Sequence, residues 1–167
     1  MRSSISWLAS KARQFRRHLV ARVELDERSA LESWTSPAQR ALFDAMPRAD
    51  RRHALDVVAG LRARGIDDPE VLAAGLLHDA GKGRSIRLWH RVAWSLGELS
   101  GPWVWGMAAR LPGGAAAMAR LRDHAERSAE LAARAGSSPR TVALIRGDAP
   151  AADAAAARAL READEAA

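Results

Sequence analysis

Apolar residues recur along this chain at helical spacing, in stretches broken by glycine, proline and short polar side chains. Residues 4–30 read as a basic amphipathic helix, with Trp7, Phe15, Leu19 and Val23 on one side and Arg13, Arg16, Arg17 and Arg22 on the other. Ser36 and Pro37 supply a cap and a first helical position for a short helix through Phe43 and Met46. Asp50 is the expected cap of the next helix, which ends near Gly65 and carries His53, Val57 and Leu61 at i, i+4 and i+8. Asp68-Pro69-Glu70 is a strong helix start, with a cap, a proline and an acid in the first turn. That helix is expected to run through VLAAGLLHDA to Gly81. Val71, Gly75 and His78 share one side of it, so His78, like His53, is directed inward.

Two short helices are predicted over residues 86–111, broken at Gly101-Pro102, and Pro112-Gly113-Gly114 marks another turn. One long helix should follow, with Leu121, His124, Ser128 and Leu131 on one face, ending at Gly136. Ser138-Pro139 opens a further helix through Val142 and Ile145. In the alanine-rich stretch 151–167, Asp153, Ala157, Leu160 and Asp164 form one stripe. No convincing strand or repeat interrupts the helical pattern. The prediction is an all-α, compact multi-helix bundle without a sheet over residues 37–167, preceded by a basic helix and linker over 1–36.

Composition narrows the chemistry. A chain of 167 residues suits one domain with its own core. It has no cysteine, which excludes disulfides, thiolate metal sites and a cysteine nucleophile. Any metal must then be held by His, Asp or Glu. The net charge of +6 is carried almost wholly by arginine, Lys11 and Lys82 being the lysines, and it suits an anionic ligand such as a phosphate ester or nucleic acid. The most apolar stretch, residues 92–109, contains Glu98 and the Gly101-Pro102 break, which does not fit a single membrane-spanning helix. With no secretory signal evident, a cytoplasmic protein is expected. Trp89, Trp94, Trp103 and Trp105 cluster in one short hairpin and admit core packing, a membrane interface or base stacking. Peripheral attachment to a membrane surface is therefore an alternative, while His18 in the basic helix and His90 are read as non-catalytic.

The candidate chemistry centres on His78 and Asp79. Side chains of adjacent helical residues diverge by about 100°. They can still grip one ion at a helix end, and Gly81 lets the chain leave there. Imidazole with carboxylate suits a first-row transition metal and tolerates harder ions. Inward-facing His53 lies 25 positions earlier, one helical hairpin away.

The run LLHDAGKG, Leu76 to Gly83, with the upstream His53 and the later HAERSAELA, His124 to Ala132, resembles the HD superfamily of metal-dependent phosphohydrolases. The resemblance covers roughly residues 40–167. It implies His53, His78 and Asp79 as metal ligands with a distal aspartate, for which Asp164 is favoured and Asp148 is the alternative. Two-metal members carry a histidine pair where this chain has Gly147-Asp148, so one divalent ion is expected: manganese, iron, nickel, cobalt, zinc or magnesium. The implied reaction is hydrolysis of a phosphomonoester or phosphodiester, foremost a nucleotide, by hydroxide generated at the metal. Asp79 would orient the water, Lys82 would neutralise the phosphate, and His124 would donate a hydrogen bond or a proton. Arg51, Arg52, Arg87 and Arg91 are weaker phosphate candidates. The rival expectation is a domain that has lost turnover and serves as a metal- or nucleotide-binding sensor or adaptor.

Overall fold

A computed structural model describes residues 24–167. Most of the basic helix expected over 4–30 lies outside the described residues, as does His18. The described chain forms ten α-helices and no strand: α1 (Leu25–Ala30), α2 (Pro37–Ala45), α3 (Arg48–Arg62), α4 (Pro69–Leu77), α5 (Leu88–Ser100), α6 (Trp103–Ala109), α7 (Gly114–Arg122), α8 (His124–Arg134), α9 (Pro139–Arg146) and α10 (Ala154–Ala166). Three short 3-10 turns lie between them, of which Ala80–Lys82 bears on the site.

Local chemistry starts several helices where the sequence places them. Ser36 Oγ accepts from Gln39 N at 3.2 Å, and Gln39 Oε1 accepts from Ser36 N at 2.8 Å. Asp68 Oδ1 accepts from Glu70 N at 2.9 Å, and Ser138 Oγ accepts from Thr141 N at 3.1 Å. Each such cap contributes about 1 kcal/mol. Helix α4 is buried at every position from Val71 to Leu77, an all-round apolar helix that must sit at the centre. It is surrounded by α2, α3, α9 and α10, and α8 closes the same body against α9 and the Ala80–Lys82 turn. Phe43, Val57, Leu61 and Leu76, each 0% exposed, fill this main core.

A second, smaller cluster holds Ile86, Ala108, Ala117, Met118 and Leu121 beneath a hairpin of α5 and α6. Trp94 and Trp105 stack there with ring centroids 4.7 Å apart, and Trp105 Nε1 donates to Trp94 O at 3.0 Å. Gly97 makes this possible, because a Cβ at that position would collide with the Trp105 indole.

Three expectations are corrected. Asp50 does not cap α3. The helix begins at Arg48 after Pro47, and Asp50 is buried, with its carboxylate taken by Arg91 at 2.8 Å. Helix α4 stops at Leu77 rather than at Gly81, since His78 forms its cap and the chain tightens into the Ala80–Lys82 turn. The long helix expected before Gly136 is two helices, α7 and α8, separated at Asp123. There the carbonyl of Leu121 accepts from the His124 ring at 2.6 Å.

Candidate metal centre

His53 rides on α3, on the stripe that carries Val57 and Leu61 into the core. His78 and Asp79 sit just past the end of α4. Asp79 has left helical geometry, with φ −102° and ψ 2°, so two consecutive side chains face the same place. His78 Nε2 lies 3.5 Å from Asp79 Oδ1, and His53 Nε2 lies 3.9 Å from Asp79 Oδ2. The two rings meet edge to face with centroids 5.3 Å apart. Donor atoms of His53, His78 and Asp79 all lie within 4.8 Å of one another, a grouping able to hold a metal ion.

The distal carboxylate comes from α10. Buried Leu160 and Ala163 seat that helix, and Ala163 packs beside Gly60 of α3. Asp164 Oδ1 is then 2.8 Å from His53 Nε2 and 3.4 Å from His78 Nε2. Asp148, the other candidate, is exposed and lies 3.6 Å from Arg146 instead. His124, at the start of α8, brings Nε2 to 3.8 Å from Asp79 Oδ1. Lys82 Nζ lies 2.6 Å from Asp79 Oδ2.

Hydrogen bonds fix how two of these rings present themselves. His78 Nδ1 donates to Gly75 O at 2.9 Å, and His124 Nδ1 donates to Leu121 O at 2.6 Å. A carbonyl can only accept, so Nδ1 carries the proton when each ring is neutral, and Nε2 is the bare ligand atom. Both His78 Nε2 and Asp79 Oδ1 are buried without a hydrogen-bond partner. Two orphaned polar atoms side by side in a core are costly unless something completes them. A cation does so. Ligands of one ion with bonds of about 2.1 Å lie roughly 3–3.5 Å apart, close to the spacing found here.

The electrostatics agree with a cation site. Burial alone would raise the Asp79 carboxyl, but His78, Lys82 and His53 around it hold it well below the usual carboxylate range. Burial likewise opposes ionisation of Asp164, yet the hydrogen bond from His53 and the neighbouring His78 imidazole keep it low. His78 is pushed down by burial and up by Asp79 and Asp164, and the carboxylates win, leaving it at about 9 in the metal-free protein. His124 is lowered, by burial first and then by the Lys82 charge.

Gly81 serves a different purpose from the one expected. It is buried, and a Cβ there would meet His124 O and Ser128 N of α8, so this glycine permits close packing rather than the exit from the helix. Its amide donates to Ser128 Oγ at 2.9 Å. Gly83, with φ 67°, is where the turn reverses. Several arginines weighed as phosphate ligands are engaged elsewhere: Arg52 with Glu27 and Asp56, Arg51 with Asp44 at 3.8 Å, and Arg91 with Asp50. His90 is buried and accepts from Arg87 N at 2.8 Å, a structural role. What the sequence did not disclose is the Asp50–Arg91 pair, whose members stand 41 positions apart.

Comparison with protein-family models, with curated proteins and with solved structures finds no match for the chain.

Proposed function

We propose that the chain is a metal-dependent phosphohydrolase of the HD type that cleaves a phosphomonoester or phosphodiester, foremost a nucleotide. The observation that carries this reading is the meeting of His53, His78, Asp79 and Asp164, with two buried ligand atoms unpartnered. Support comes from the motifs LLHDAGKG and HAERSAELA, which contribute His78, Asp79, Lys82 and His124 to one place. The donor set suits a single divalent ion of the first transition row, or magnesium. Once bound, that ion supplies Lewis acidity toward a phosphoryl oxygen and toward water.

The chain's own groups supply the rest. Asp79 and the histidines position the ion. Lys82 carries an ammonium at the edge of the cluster, from which it can turn toward a phosphate oxygen and neutralise charge there. His124 is held neutral by burial and by Lys82, with Nε2 bare. It can take a proton from water at that atom and return it to a leaving oxygen.

A second reading rests on Lys82. Its ammonium already lies 2.6 Å from Asp79, an internal cation that can balance the carboxylate in a domain that binds but does not turn over. Metal analysis of the purified protein, with a panel of nucleotides, phosphomonoesters and cyclic dinucleotides, separates the two. Metal-dependent release of phosphate is the expected result, and Asp79→Ala should abolish metal content and activity together. Unchanged metal content in Asp79→Ala overturns the site. Metal binding with no turnover across the panel supports the sensor or adaptor instead.

A further inference from the structure

The exposed large apolar side chains among the described residues all fall between Leu88 and Leu111, in α5, α6 and the turn that follows. On α5, Leu88, Val92, Leu96 and Leu99 recur on one side and stand 39% to 53% exposed. On α6, Trp103 and Met107 are one turn apart and stand 62% and 58% exposed. An open groove of about 580 Å³ runs between the two rows, with Leu96 and Met107 among its apolar walls. Packing within the domain does not require these positions. The hairpin is held from its other face, where Trp105 stacks on Trp94 and fits over Gly97. A contiguous exposed apolar face of this kind marks an interaction surface.

Charge decides what covers it. Residues 84–122 hold six arginines and one acid, Glu98. Arg84, Arg87 and Arg110 among them are exposed. Residues 1–23 hold six basic side chains, Arg2, Lys11, Arg13, Arg16, Arg17 and Arg22, and no acid. Laying that segment on the hairpin, or pairing the hairpin with a second copy of itself, brings like charges together. A bilayer with anionic headgroups brings the opposite sign, and indole rings favour its interfacial zone. No helix among the described residues is long and apolar enough to cross a membrane, so attachment at the surface is the mode open to this hairpin.

We propose that the α5–α6 hairpin seats the protein on an anionic lipid surface. Leu96, Trp103 and Met107 enter the boundary between headgroups and acyl chains, and Arg87 and Arg110 meet the lipid phosphates. This holds whether or not the metal centre turns over. Binding of this kind grows with the apolar area inserted and with basic charge, and it weakens with salt.

The test is flotation of the full chain with vesicles of phosphatidylcholine alone or mixed with phosphatidylglycerol. The protein should float with the mixed vesicles, stay behind with the neutral ones, and be released by salt. Leu96→Glu and Met107→Glu should each weaken partitioning by about tenfold or more, by losing apolar insertion and repelling the headgroups. Both positions are exposed, so the melting temperature of each variant should stay with the parent's. Failure of the parent to float at low salt overturns the proposal. Equal partitioning of parent and both variants also overturns it, assigning binding to residues 1–23 alone. So does a concentration-dependent dimer that either variant dissolves, which would make a second copy the occupant.

Discussion

Helices α4 and α5 are both rich in apolar residues, and the protein uses them in opposite ways. Around α4 there are neighbours on every side, and Val71 to Leu77 are all buried. Around α5 there are neighbours on one side, and of its thirteen residues only His90 and Gly97 are fully buried. Apolar content alone therefore does not make a core; the number of partners around an element does. The same contrast sorts the chemistry. The charged groups of the candidate site, Asp79 above all, sit at the end of the enclosed helix, where a buried carboxylate attracts cations strongly. Apolar groups without a partner sit on the half-covered helix, where they remain available to something outside the chain.

The largest expected effect tests the enclosed side. Leu76 is 0% exposed at the centre of the main core. Leu76→Ala should cost about 2–5 kcal/mol, the transfer and cavity terms of a buried leucine. That is a large share of a typical domain's stability. Urea denaturation followed by circular dichroism measures it as a drop in midpoint. A loss below about 1 kcal/mol would mean that α4 is not enclosed as described.

A smaller effect comes from pH, and its sign differs between His78 and His90. In the metal-free protein His78 titrates at about 9, because Asp79 and Asp164 outweigh its burial. A histidine raised in the folded state contributes stability that is complete below its unfolded value of about 6.5, and that is lost as pH rises toward 9. The ceiling is about 3 kcal/mol, at 1.36 kcal/mol per pKa unit. His90, in the hairpin, is lowered by burial and by Arg87, so it acts oppositely: its neutral form is favoured, and stability falls as pH drops below the unfolded value. Melting curves in chelator should therefore decline on the alkaline side through His78. His78→Gln should flatten that alkaline limb while leaving the acid limb in place. An alkaline limb that survives unchanged in His78→Gln would detach the pH response from the candidate metal centre.

Much of this arrangement is legible in the residues, and the illegible parts share a cause. Ser36-Pro37, Asp68-Pro69 and Ser138-Pro139 start helices through bonds made within three residues, so sequence reveals them. The inward histidines and the Asp164 stripe follow from helical period, which is also local. Asp50 misleads because a capping carboxylate and a buried ion-pair carboxylate look alike beside a helix start. Its partner Arg91 is far along the chain, so only the tertiary fold distinguishes the two. Gly81 misleads similarly, since the α8 backbone that presses on it comes from another element. The tryptophans show the limit most clearly. Trp105 stacks inward on Trp94 while Trp103, two positions away, stands exposed, and composition treats the cluster as one.

The smallest expected effect is on that outer face, and it is the sharpest test of the contrast. Trp103 is among the largest side chains in the protein, and in α4 a residue of its size would be indispensable. Here it is 62% exposed, and its ring nitrogen reaches only Ser100 O at 2.8 Å, an exposed bond that water can replace. Trp103→Ala should change the stability of the isolated protein by no more than about 0.5 kcal/mol, the usual range for surface substitutions. The comparison with Leu76→Ala then isolates enclosure from size, because the smaller side chain carries the larger penalty. Matched urea titrations of the two variants decide it. A Trp103→Ala loss approaching that of Leu76→Ala would place the indole in a packed environment, and the α5–α6 face would no longer be open to a partner.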